Sequence, residues 1–181
     1  MIVSACDHHT RVSVGGSLLS TDSPTIGLLF GSVTRDKDED GTPLTSMHII
    51  DATDAVYSYD SSSQQLGLDM KQLKNKCDLW VRVYPTQPLL GWYCVAPQVT
   101  PMHLQIHRDI SSLMEGQSES EGQGEGEEGS SVTGGRDAVM LMMNPVIQSG
   151  AKQLPIMLFQ LQQSMEQEVF VELPFKVCMS V

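Results

Sequence analysis

The chain has 181 residues, enough for one domain with a sizeable core, and 40% of them are apolar, which excludes a wholly disordered protein. A formal net charge of −11 argues against nucleic acid or an anionic membrane surface as a partner. Met1 to His9 lacks the basic and apolar regions of a signal peptide, and no apolar run is long enough to span a bilayer, so a soluble, intracellular protein is expected.

In chain order, Ile2 to Ala5 reads as the end of a first strand. Asp7 reads as a helix N-cap for a short helix from His8 to Val14, closed by Gly15-Gly16. His8 and His9 lack a third ligand nearby, so a place at the helix start suits them better than metal ligation. After a turn at Thr21 to Pro24, Thr25 to Val33 is apolar nearly throughout, which predicts a central strand covered on both faces. The charged segment from Arg35 to Pro43 holds the turn signal Asp40-Gly41, so Thr45 to Val56 should pair with the preceding run as a hairpin. Ser58 to Gln65 is polar and reads as a loop.

Asp69 caps a predicted helix in which Met70, Leu73, Cys77, Val81 and Tyr84 recur in three- and four-residue steps as one apolar stripe. Pro85 and Pro88 end it. The run Leu89 to Pro97 then reads as a buried strand, with Leu89, Leu90, Trp92 and Val95 in the core. Thr100 as N-cap and Pro101 at the first helical position open a second helix, whose apolar face is Met102, Ile106, Ile110, Leu113 and Met114. The segment 115–136 is Gly, Ser, Glu and Gln with almost no apolar side chain, so it reads as a disordered acidic insert. Strands are predicted at Ala138 to Val146, Leu154 to Leu161 and Glu168 to Val177. The sum is a single mixed α/β domain over residues 1–181, a central β-sheet with flanking helices. Cys6, Cys77, Cys94 and Cys178 form no C-x-x-C pair and lie among apolar residues, so buried, reduced thiols are expected.

Leu90-Gly91-Trp92-Tyr93, with Pro97 and an amphipathic helix behind it, resembles the MPN (JAB/MPN/Mov-thirty-four) domain. Asp7-His8-His9-Thr10-Arg11, Ile26 to Gly31, Ile106-His107, Leu141 to Pro145 and Leu154-Pro155 are similar to further segments of that family, in the same order. The resemblance covers nearly the whole chain apart from the acidic insert, and it implies an MPN, cytidine-deaminase-like architecture. Active members are zinc isopeptidases. A glutamate on a first long strand acts as base, two histidines of a His-x-His-Pro strand end and an aspartate of a following Ser-x-x-Asp hold the metal, and a metal-bound water attacks.

Carried onto this chain, those positions fall on Pro24 for the glutamate, Cys94 and Ala96 for the histidines, Leu104 for the serine and His107 for the aspartate. None restores the family's chemistry, so the resemblance implies a catalytically silent member with no cofactor. The silent branch serves in the COP-nine signalosome, in the proteasome lid and in translation initiation factor three. The function implied is a scaffold that forms a heterodimer with a catalytic MPN-domain subunit, among other subunits, in a cytoplasmic and nuclear complex that removes the ubiquitin-like modifier Nedd-eight from cullins. A rebuilt zinc site from Cys94, His103 and His107, and with it a metal-dependent isopeptidase, is the alternative. The plainer reading of that trio is a buried thiol beside a partly exposed histidine. Silent members continue into long C-terminal helices and this chain stops at Val181, so assembly through an MPN–MPN face is the route expected.

Overall fold

An apolar strand with no polar face is stable only where both faces are covered. In the computed structural model, which describes residues 2–6, 24–37, 41–60, 62–63, 65–118, 138–146, 154–163 and 167–178, the run after Pro24 forms β2 (Thr25–Lys37), buried without interruption from Ile26 to Gly31. It pairs antiparallel with β3 (Pro43–Asp54) on one side, as the turn signal predicts, and with β6 (Leu89–Val95) on the other. Beyond β3 lie β1 (Ile2–Cys6) and β10 (Phe175–Cys178), each parallel to its inner neighbour. Beyond β6 lie parallel β7 (Val139–Met143), then antiparallel β8 (Ile156–Gln163) and β9 (Glu168–Leu173). The result is a mixed eight-stranded sheet in the order β10-β1-β3-β2-β6-β7-β8-β9.

Glu168 to Val177 is therefore two strands rather than one. Pro174, which cannot donate to a ladder, separates β9 from β10, and these two sit at opposite ends of the strand order. Eight strands laid flat would hold their end strands about 34 Å apart. Leu173 and Phe175 are two peptide units apart, a reach of about 7 Å. The sheet must curl until its end strands approach at that connection.

Alternation then gives two cores. On one face Leu28, Phe30, Trp92, Cys94, Met140 and Met142 meet both helices, α1 (Met70–Val83) and α2 (Pro101–Ser118). On the other, Leu29, Met47, Ile49, Leu90, Val139 and Leu158 pack with Leu173 and Phe175 inside the curl. So both helices lie on the same face, and the curl itself covers the second face of β2.

Asp69 caps α1 as expected. Its carboxylate accepts the Gln72 N–H at 3.0 Å and the Gln72 side-chain amide at 2.7 Å, which holds the carboxyl below its ordinary range. The buried stripe is Leu73 and Cys77, continued by half-buried Trp80, which stacks on Phe30 at 4.4 Å; Val81 is also half-buried, and Tyr84 is the exposed C-cap. Ser58 to Gln65 is not wholly loop. β4 (Tyr57–Asp60) and β5 (Gln65–Leu68) form an antiparallel pair whose register sets Tyr57 against Leu68 and Tyr59 against Leu66. Asp60 closes the turn by accepting from Ser62 and Ser63, bonds that pull its carboxyl down to about 2. α2 runs to Ser118, past the expected start of the acidic insert, because Met114 still packs in the core. The short helix expected at His8 to Val14, and 119–136 of the insert, lie outside the described residues.

β6 carries a bulge. Leu29 pairs with Gly91 and Phe30 with Leu89, which leaves Leu90 as the extra residue. The glycine is needed there: a Cβ on Gly91 would lie 2.0 Å from the Val139 carbonyl oxygen, a backbone atom that β7 holds in place. Gly91→Ala should destabilise the protein by about 3 kcal/mol, read as a drop in urea midpoint. Gly67→Ala on β5, where a new Cβ would meet only the Ser58 hydroxyl at 3.4 Å, should stay within about 0.5 kcal/mol.

Candidate functional site

The ends of β2 and β6 meet at the positions that the resemblance in the sequence would assign to a metal site. Thr25 pairs with Val95 and Ile26 with Cys94, so Pro24 and Ala96 extend the same two neighbouring strands. α2 starts four residues after Pro97 and packs back on β6. Pro24, Cys94 and Ala96 are thus gathered by register, and His107 reaches the same strand through Trp92. Leu104 lies half-buried on α2, and no bond links it to the strand end.

Two backbone groups at this strand end have structural partners. The Pro24 carbonyl accepts the Tyr57 hydroxyl, which ties β2 to the small hairpin. The Ala96 N–H donates to the Met143 carbonyl at 3.0 Å and extends the β6–β7 ladder by one bond. Cys94 is 1% exposed, and burial pushes its thiol up to about 12. A thiol with that value supplies almost no thiolate at neutral pH, so it is not a ready nucleophile. Val95, expected in the core, is only half-buried, because Cys94 takes the inward position between Trp92 and the helices.

The two histidines of α2 are both buried, at 3% and 2% exposed for His103 and His107. This corrects the expectation of a partly exposed histidine beside the Cys94 thiol. The Nδ1 of His107 accepts the indole N–H of Trp92 at 3.2 Å, and its ring meets Phe170 of β9 edge-on at 5.1 Å. A ring nitrogen that accepts carries no proton, so the bond fixes the tautomer. The interaction satisfies the buried indole, a requirement that the spacing of Trp92 and His107 in the sequence does not reveal.

His103 does similar work one turn earlier. Its Nδ1 accepts the backbone N–H of Thr100 at 2.8 Å and lies 3.0 Å from the Thr100 hydroxyl. In a capping box a Glu or Gln at the third helical position makes that return bond; here an imidazole makes it. Thr100 is therefore at the N-cap as predicted, but its hydroxyl holds the His103 ring rather than a helix N–H. Among the described residues no three His, Cys, Asp or Glu side chains converge as a metal-holding group, so Cys94, His103 and His107 do not form one.

Two features were missed in the sequence. A groove of about 640 Å³ opens between α2 and β8–β9, lined by His107, Ser111, Ser112 and Gln160 among others. At its side Arg108 makes an ion pair with Glu168, its Nε donating at 2.9 Å. Half-exposed pairs of this kind contribute about 0.2–1 kcal/mol, and 60 residues separate the partners, so nothing local signals them. On the opposite face of β6 the Tyr93 hydroxyl donates to Asp54 at 3.1 Å, and burial, with the Asp54 carboxylate second, pushes the phenol up to about 12.

No protein-family model matches the chain, and no curated protein matches it.

Burial lowers the pKa of His103, so the folded protein prefers the neutral ring. Above pH 6.5 both folded and unfolded chains hold it neutral and its contribution is complete. As pH falls below 6.5 the unfolded chain takes a proton that the folded chain resists, and stability is lost. Urea unfolding should therefore weaken between pH 7 and pH 5, by at most about 1.4 kcal/mol per pH unit for this one proton, and His103→Gln should flatten that slope. Cys94 and Cys77, whose thiol burial pushes up to about 11, should both resist alkylation in the native protein and react in denaturant. Fast labelling of native Cys94 would contradict its inert role.

Proposed function

We propose that this chain is a catalytically silent MPN-type domain that acts as a scaffold by pairing with a catalytic MPN-domain subunit. The observation that carries the reading is the end of β6. Two neighbouring strand ends and the start of a packed helix meet in the arrangement that would suit a zinc site. The side chains there are Pro24, Cys94, Ala96, Leu104 and His107, and every polar group among them with an assigned bond is spent on the fold. Such a strand end offers no general base, no activated nucleophile and no set of metal ligands.

Within the family the residues are most similar to subunit six of the COP-nine signalosome. The Asp7 to Arg11 stretch, Leu90-Gly91-Trp92-Tyr93, Ile106-His107 and the strand ending in Asn144-Pro145 carry that likeness. The role that follows is support of cullin deneddylation, and so of ubiquitin-ligase regulation, without any cleavage by this subunit. A surface for pairing is available on α1. Leu79 and Val83, one turn apart, are 60% and 66% exposed, and Tyr84 follows them. A contiguous apolar patch of this sort suits a protein interface.

The test is co-expression of the full chain with the catalytic MPN subunit of the signalosome. A one-to-one heterodimer on gel filtration is expected, and Leu79→Asp with Val83→Asp should weaken it about 30-fold or more while circular dichroism stays unchanged. Two separately eluting monomers, or stoichiometric zinc in the purified chain, would overturn the scaffold reading. Affinity purification that returns proteasome-lid subunits and no cullin-associated ones would move the domain to a different complex.

A further inference from the structure

The sheet ends on two strands, and their outer edges differ. β10 has four residues, follows Pro174 and carries Lys176, features that discourage pairing along an edge. β9 is longer, with six residues, and it pairs with β8 in continuous register without a bulge. Among the described residues no strand pairs with the other edge of β9. There the backbone N–H and C=O groups of alternate residues point away from β8, a template for one more strand.

The side chains of β9 sort by face. Phe170 packs on the core beneath the helices and against His107, and Glu168 pairs with Arg108 of α2. Alternation puts Glu172 on that face too. Glu172 is exposed and has no ion pair among the described residues. Leu173 belongs to the core inside the curl, so Val169 and Val171 share its face, yet they are 48% and 36% exposed. The free edge of β9 thus offers carboxylates on one face and uncovered valines on the other.

We propose that the free edge of β9 is a docking site for an extended segment of a partner protein in which basic and apolar residues alternate. The segment adds a strand to the sheet through main-chain hydrogen bonds. Its basic side chains lie beside Glu168 and Glu172, and its apolar ones cover Val169 and Val171, because paired residues on neighbouring strands share a face. A chain of net charge −11 favours a basic partner in the same direction. The glutamates also disfavour a second copy. Two β9 strands paired edge to edge would bring the carboxylates of both copies together on one face, and like charges opposite one another are destabilising. The backbone therefore binds the segment while the glutamates select it. The inference goes beyond the scaffold reading and does not rest on it: the site is β9, whereas the pairing face on α1 belongs to the helix that packs over β2 through Trp80 and Phe30.

The experiment follows hydrogen exchange of the purified full chain with an alternating Lys-Val peptide of about eight residues, long enough to span β9, and with its Glu-Val counterpart. The Lys-Val peptide should slow exchange of the amides from Glu168 to Leu173 and bind at least about tenfold tighter than the Glu-Val peptide. Methylation of its backbone nitrogens should abolish binding, since the main-chain donors are then lost. Glu172→Lys should weaken binding of the Lys-Val peptide about tenfold with circular dichroism unchanged. Equal binding of the two peptides, undiminished binding of the methylated one, or no protection in β9 would each overturn the proposal. Concentration-dependent protection of β9 in the chain alone would overturn it as well, by giving the edge to a second copy.

Discussion

Pro174 imposes the constraint on which the rest of the architecture depends. The strands on its two sides belong to opposite ends of an eight-strand order, so the sheet cannot lie flat. Once it curls, one face turns inward and becomes a core of its own, where Leu29, Met47, Ile49, Leu90, Val139 and Leu158 meet Leu173 and Phe175. The outward face is left for both helices. That division explains why β2 and β6 are buried on both sides although neither has a helix on both sides. It also explains the bulge at Leu90 and the bare glycine beside it. A sheet bent this strongly needs strands that approach closely and change pairing partway along, and Gly91 allows the Val139 backbone to come within a distance no side chain would permit.

The same curvature sets the end of β6 against the start of α2. In a domain that cleaves bonds, a junction of this kind holds its reactive groups partly desolvated and unpaired, at a cost to stability. Here the groups are satisfied instead. The Pro24 carbonyl, the Ala96 N–H, the Trp92 indole and the Thr100 N–H each have a partner, and the two histidines that supply half of those bonds are buried with them. The bonding pattern is that of a junction whose named polar groups fasten a helix to the sheet.

Much of this was legible in the residues. β2, β6 and α2 stand out because long apolar runs and a three-to-four-residue period survive averaging over a window, and Asp69 announces its helix by a local bond. The pair β4–β5 did not stand out, because four-residue strands among serines give only two half-buried positions each. The run Glu168 to Val177 looks uniform although it breaks at Pro174, since strand type is a local property and strand partner is not. Trp80 lost its place in the predicted stripe to Val81 and Tyr84. The apolar period admits any of the three, and only the position of Phe30 across the core selects the indole. The roles of His103 and His107 were hidden for the same reason: a histidine on a helix face reads alike whether it binds a metal, closes a cap or accepts from a tryptophan.

Those two histidines join the site to the fold. His107 lies between Trp92 of the central strand and Phe170 of β9, and Arg108 beside it pairs with Glu168 at the start of the same strand. Through two consecutive residues α2 therefore grips both the middle of the sheet and its end strand. His103 secures the beginning of the helix from inside the core. An aspartate at position 107 could accept from Trp92, but it would be a buried charge and would lose the ring contact with Phe170, an unfavourable exchange unless a cation lay alongside. His107→Asp would therefore cost stability.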